Sequence, residues 1–150
     1  MDNIFENFTF TILKLNKLVQ KIKHHEMEEL GLKTIHAMCL YHLYTNPQGL
    51  TPGELVKLTL EDKAAISRAM KTLKERGYAR YDGGAYNSSI VLTESGTALA
   101  ETVLKRANIA VDAGSCNFSD EERTAFYKLL GAIADRLQDY YNSLKGDKND

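Results

Sequence analysis

The chain has no tryptophan, only two prolines and two cysteines, and no long apolar run. Each shortage removes a class of protein. Cys39 and Cys116 lie far apart and in no metal-type spacing, so neither a disulfide framework nor a zinc cluster organises the fold. No segment has the apolar length needed to span a bilayer. None has the basic start, apolar middle and small-residue cleavage site of an export signal. The expectation is a protein of the reducing cytoplasm with no membrane partner. Catalytic signatures are missing as well: there is no GxSxG, no phosphate-cradling glycine loop and no zinc motif. His24-His25 with Glu26, Glu28 and Glu29 collects potential ligands, but lacks the HxxxH pairing that sets two imidazoles on one helix face. We therefore expect no metal and no cofactor, and an enzyme is the remotest reading of this chain.

Excess charge is also absent. The net charge of −1 gives the chain no general attraction to a polyanion. Its distribution tells a different story. From Lys57 to Arg80 stand seven basic residues against three acidic ones, a local +4 in a chain whose total is −1. Phosphate binding responds to such a local surface and not to the sum. Lys14, Lys17, Lys21 and Lys23 form a second basic group near the amino end, read as a solvated helix face.

At 150 residues, 43% of them hydrophobic, the chain can hold one domain with a proper core, or one domain plus helices that need a partner. Phe5, Phe8, Ile12, Leu15, Leu18 and Ile22 recur at three- and four-residue steps, which predicts an amphipathic helix over 4–26. A second helix is expected from Lys33 to Tyr44, stopped by Asn46-Pro47. Leu50 suits a short strand. Thr51-Pro-Gly-Glu54 then supplies an N-cap, a proline at the first helical position and the Glu of a capping box, opening a short helix to about Leu58.

The next helix is predicted over 62–77. Asp62 is its N-cap, and Gly77 suits the left-handed residue that ends it. Ile66, Met70 and Leu73 fall on one narrow stripe. Two short helices joined by a tight turn make a helix-turn-helix. Tyr78–Tyr81 and Ser89–Thr93 read as strands around the turn Asp82-Gly83-Gly84, and a hairpin in that position is a wing. Thr93 caps a further helix to about Asp112, with Leu99, Val103, Ala107 and Ala110 on one side. A break follows at 113–117, and Ser119-Asp-Glu-Glu122 forms a second capping box. Beyond it Phe126, Leu130, Ile133, Leu137, Tyr140 and Leu144 repeat every 3.5 residues, the period of a helix seam. The fold class is thus mainly α with a small β-hairpin wing. Three segments are expected: an N-terminal dimerisation helix over 1–31, a winged helix-turn-helix over 32–95, and C-terminal dimerisation helices over 96–150, the whole forming a homodimer.

In this order and spacing the elements resemble the MarR family of winged-helix transcriptional regulators over nearly the whole chain. Leu50-Thr-Pro-Gly-Glu-Leu55 is similar to the family's opening of the motif, and Asp62-Lys-Ala-Ala-Ile-Ser-Arg68 to its recognition helix. Leu73-Lys-Glu-Arg-Gly-Tyr-Ala-Arg80 is similar to the helix exit and first wing strand. Val91-Leu-Thr-Glu-Ser-Gly96 is similar to the wing exit. The resemblance implies a regulator, by family default a repressor, that binds double-stranded DNA at an inverted repeat. Ala64 and Ala65 are small enough for the helix to approach a major groove about 12 Å wide. Arg68 is the candidate for a base edge, most naturally guanine. Lys63, Ser67, Lys71 and Arg80 are candidates for phosphates, and Tyr86 and Asn87 for backbone contacts from the wing.

The resemblance also implies a ligand cleft beside the second helix, where His36, Tyr41, His42 and Tyr44 are candidates for a small aromatic effector. Cys116, in the Gly-Ser loop, is the candidate redox site if the regulator senses oxidants instead. The same elements would also suit a metal-sensing regulator or a winged-helix protein-interaction module. One departure from the family stands out: its wings usually carry an Arg soon after the turn Asp, whereas here Asp82 is followed by Gly83, Gly84 and Ala85. Each missing phosphate contact lowers the salt slope by about one unit. The dependence of log K on log salt should therefore be shallower for this chain than for its Gly84→Arg variant, and equal slopes and affinities would refute that expectation.

Overall fold

The computed structural model describes residues 3–83 and 89–146. Its elements are α1 (Ile4–Glu28), α2 (Thr34–Thr45), α3 (Pro52–Thr59), α4 (Lys63–Glu75), β1 (Ala79–Asp82), β2 (Ser89–Leu92), α5 (Glu94–Gly114) and α6 (Asp120–Gly146). This is the mainly helical, winged helix-turn-helix architecture that the hydrophobic periodicity led us to expect.

Local chemistry places the helix starts. The Thr51 amide donates to Glu54 Oε2 at 2.8 Å while the Glu54 amide donates to Thr51 Oγ1 at 3.3 Å, closing the expected box on α3. Ser119 and Glu122 close the second box in the same way, at 2.8 and 3.2 Å. Asp62 Oδ1 accepts from the Ala65 amide at 2.7 Å and caps α4. The turn between α3 and α4 carries backbone strain. Leu60 takes φ 58°, a left-handed conformation that costs an L-residue roughly 1–2 kcal/mol, and its side chain stays exposed.

The core gathers around α2, which packs against α1, α3, α4 and β2. Leu40, Leu43, Leu55, Ile66, Leu73 and Ile90 are fully buried there, each contributing about 1.5–3 kcal/mol relative to exposure. Met27 and Leu32 join the same cluster, so the end of α1 belongs to it. The chain divides into two compact units, 1–110 and 111–150. Met27 at one end and Ala100 and Val103 at the other bury their side chains in the same core as the helix-turn-helix.

In the wing, β1 pairs antiparallel with β2, with Ala79 opposite Leu92 and Asp82 opposite Ser89. The strand expected at Leu50 is a single bridge. The Leu50 amide donates to Ile90 O at 3.0 Å, and the Ile90 amide donates to Leu50 O at 2.8 Å.

A tight junction ties the end of α4 to the start of α5. Gly77 O accepts from Thr93 Oγ1 at 2.6 Å and from Ser95 Oγ at 3.0 Å. The Thr93 amide donates to Tyr78 O at 3.1 Å, and the Gly96 amide donates to Thr93 Oγ1 at 3.1 Å. Gly96 is packed directly against Tyr78, and a Cβ added there would collide with the Tyr78 carbonyl oxygen. The backbones can meet only because no side chain intervenes. Gly96→Ala should destabilise the fold by about 1–3 kcal/mol, the usual cost of forcing atoms into a filled site. Urea unfolding measures this, and an unchanged midpoint would show that the junction can relax.

The buried imidazole of His36 closes the start of α2, its Nδ1 accepting from the Lys33 amide at 2.9 Å. Burial, followed by the charges of Arg76 and Lys33, holds its pKa below the ordinary 6.5. The folded chain therefore resists a proton that the unfolded chain accepts. The sign follows: His36 costs nothing above about pH 6.5, and stability falls as the pH drops below that value. His36→Gln keeps an acceptor and cannot titrate, so its unfolding midpoint should fall less between pH 7 and 5 than that of the parent. Parallel pH profiles would contradict this.

Candidate nucleic-acid interface

The orientation of α4 follows from what it buries. Ile66, Ala69, Met70 and Leu73 are turned into the core. At about 100° per residue this leaves Lys63, Ala64, Ser67, Arg68 and Lys71 exposed on the other side. Ala65 is half-buried, so of the two alanines only Ala64 lies fully on the outer face.

The basic groups differ in what they hold. Lys71 Nζ lies 3.9 Å from Glu75 Oε1, an exposed i, i+4 pair of little energetic weight. Arg80 Nη1 is paired with Asp82 Oδ1 at 3.2 Å within β1. Lys74 Nζ sits 3.9 Å from the centre of the Tyr81 ring, a cation–π contact that joins the helix end to the wing. Arg76 Nη1 donates to Gly31 O at 2.7 Å and so serves the fold. Lys63, Ser67 and Arg68 make no side-chain hydrogen bond or ion pair among the described residues. They cluster at the amino-terminal half of α4, where the free ends of backbone amides add partial positive charge. Tyr86 and Asn87 lie outside the described residues.

These arrangements were partly invisible in sequence. Nothing in the spacing of Arg76 and Gly31 announces a bond across that separation, and Lys74 over Tyr81 needs the wing folded first. His36 carried a local signal, since it is the third residue after the position it caps.

The four aromatic candidates on α2 do not converge. His36 is buried and engaged with the Lys33 amide. Tyr41 is exposed and meets His42 edge-on, with ring centres 5.0 Å apart. His42 is half-buried, its pKa lowered by burial, and its Nε2 has no partner among the described residues. Tyr44 OH donates to Glu101 Oε1 at 3.4 Å. Of the four, only Tyr44 lines a recess of about 200 Å³, shared with Leu43, Pro47, Leu92 and Thr97.

The cysteines separate clearly. Cys39 is fully buried, and burial followed by the charge of Glu61 pushes its thiol up to about 12, so it is not a thiolate near neutral pH. Cys116 is exposed after the end of α5. No group of three or more metal-ligating side chains occurs among the described residues. No described helix is long and apolar enough to cross a membrane.

With the geometry in view, the similarities to known proteins are consistent. A model of the MarR family matches residues 30–83, from the α1–α2 corner through the first wing strand. The chain is 28% identical over 131 residues to the HTH-type transcriptional repressor YetL of Bacillus subtilis (strain 168), covering 85% of this chain and 78% of that one. Among solved structures, a MarR protein from Peptoclostridium difficile superposes with a TM-score of 0.79 at 21% identity, over 96% of this chain and 95% of that one. A MarR family transcriptional regulator from Listeria monocytogenes, solved with a 26mer DNA, gives a TM-score of 0.79 at 21% identity, over 97% and 95%. The matched segment holds the helix-turn-helix, and over nearly the whole chain the fold is similar to that of solved regulators of the MarR family.

Proposed function

We propose that the protein is a homodimeric repressor that reads an inverted repeat in double-stranded DNA with α4 in the major groove and is released by a small aromatic effector. One observation carries the DNA reading. Lys63, Ser67 and Arg68 stand together on the exposed side of a helix whose other side is buried, with no intramolecular partner among the described residues. A guanidinium without a partner on a groove-sized helix is suited to a bidentate bond with guanine. Lys63, Ser67 and Lys71 hold phosphates in this reading, with Ala64 and Ala65 allowing close approach and Arg80 adding a phosphate contact at the wing base. Tyr86 and Asn87 are the proposed wing contacts.

Support for a dimer comes from the terminal helices. On α1, Phe8, Ile12, Leu15, Leu18 and Ile22 are exposed, and on α6 so are Phe126, Ile133, Leu137, Tyr140 and Leu144. Apolar rows of this length are characteristic of surfaces that are covered by another chain. The repressor reading is supported by the name of the Bacillus relative. For the effector, the recess beside Tyr44 is the proposed seat, with Tyr41 and His42 as further candidates one turn earlier on α2 and His36 as one at its start. Cys116 is the candidate thiol should release follow oxidation and not effector binding.

Selection of bound sequences from a random DNA pool tests the whole reading. The expected result is a palindromic consensus with half-sites about one helical turn apart, bound by a protein whose sedimentation gives the mass of two chains. Arg68→Ala should weaken that complex by about 1–3 kcal/mol and relax the preference at one base pair per half-site. An unchanged footprint would remove Arg68 from the role, and the mass of a single chain would remove the dimer. Titration of the selected complex with aromatic acids checks release, which should appear as a loss of DNA affinity.

A further inference from the structure

The α1–α2 corner is gripped from two sides by arginines that the DNA reading does not use. From one side comes Arg76, the residue that closes α4, whose Nη1 donates to Gly31 O at 2.7 Å. From the other comes Arg106 of α5, whose Nη1 lies 2.9 Å from Glu26 Oε2 and 2.7 Å from Glu29 Oε2 and also donates to Glu26 O at 3.3 Å. The corner is itself rigid. Gly31 takes φ +64°, its amide donates to Glu28 O at 2.9 Å, and the Leu32 amide donates to Met27 O at 2.8 Å. Met27 and Leu32 anchor the turn in the core. A surface ion pair alone would weigh little. Here one charged donor is held by a backbone carbonyl of the anchored turn and the other by two carboxylates and a carbonyl at the end of α1, and charge-assisted bonds to fixed acceptors restrict geometry as well as add energy.

We infer that Arg76 and Arg106 form a strut that holds the recognition helix at a fixed angle to α1 and α5, and thereby sets the spacing of the half-sites that the protein accepts. The inference rests on the reading of the chain as a dimeric operator-binding regulator. Its physical basis is leverage. Arg76 sits at one end of α4 and Lys63 at the other, about 20 Å apart at 1.5 Å per residue. A tilt of about 5° at the Arg76 end moves the groove-reading end by nearly 2 Å over that length. That is a large part of the roughly 3.4 Å rise of one base pair. Arg76 is thus a positioning residue: it touches no DNA and acts through the angle of the helix that does.

The test uses the full-length protein with Arg76→Ala, Arg76→Lys and Arg106→Ala, each first checked for a cooperative unfolding transition. In DNA selection with variable spacing between half-sites, the parent should favour one spacing. The alanine variants should keep the same half-site sequence but lose that preference several-fold, with neighbouring spacings now bound comparably. Arg76→Lys, which retains a cationic donor, should restore part of the preference. A merely structural role would lower affinity for every spacing in proportion, and that result would overturn the inference. An independent readout needs no DNA. Nitroxides at Gln20→Cys and Lys63→Cys in a Cys116→Ser background, diluted with unlabelled chain, report the distance from α1 to the tip of α4, since buried Cys39 resists labelling. The distribution should be narrow in the parent and broader with Arg76→Ala. Equal widths would overturn the strut even if spacing changed. If the parent selects no inverted repeat, the regulator reading fails, and the distance distributions alone decide whether the strut exists.

Discussion

The burial of Ile66, Ala69, Met70 and Leu73 is the constraint on which the rest depends. A helix has one free rotation about its own axis, and these four side chains remove it. Turning α4 by one residue would drive Arg68 into the core in one sense, or Ser67, Lys71 and Lys74 in the other, and would expose leucine and isoleucine to water. An unpaired guanidinium in such a core costs several kcal/mol, more than a helix of this length could recover. The apolar stripe therefore does two things at once. It joins the helix to the domain, and it decides which residues face outward. The junction at Gly77, Thr93 and Gly96 then fixes where the helix ends and where the wing returns.

Charge in this region is divided between the fold and the outer surface. The +4 of the 57–80 segment overstates what a ligand would meet. Arg76 is bonded to Gly31, Arg80 is paired with Asp82, and Lys74 rests on Tyr81. Lys71 is loosely paired with Glu75. Among the described residues, the positive groups of this segment without such partners are Lys57 on α3 and Lys63 and Arg68 at the start of α4. Basic residues close in sequence thus have different duties, and only coordinates separate them. Lys71 and Arg80 are not lost to a polyanion, because exposed ion pairs exchange partners at little cost.

What the sequence made legible was local. Capping boxes at Thr51 and Ser119 and the cap at Asp62 act over three residues, and the helix starts fell where they indicated. Apolar periodicity likewise marked the inner face of α4. The missed features act over long separations or depend on backbone contact. Gly96 reads as an ordinary helix glycine until the Tyr78 carbonyl is found against it. Leu60 has no sequence mark of a left-handed turn, where glycine or asparagine would have been the signal. Ala65 belongs to an outward-facing run by composition, yet its angle on the helix turns it partly inward. Periodicity likewise cannot show that Met27 and Leu32 enter the same core as α2.

The exposed rows on α1 and α6 bear on stability as much as on assembly. Covering a leucine or phenylalanine side chain contributes about 1.5–3 kcal/mol, and whole domains are stable by only about 5–15 kcal/mol. If a second copy covers these rows, as we propose, the energy released on pairing is comparable to that of folding one chain. Folding and association then become a single equilibrium that depends on protein concentration. Such a protein would gain its DNA-reading geometry only when paired, because the spacing between two copies of α4 is a property of the pair. The proposed strut at the α1–α2 corner would matter for the same reason: it would tie α4 to helices whose own positions pairing would set.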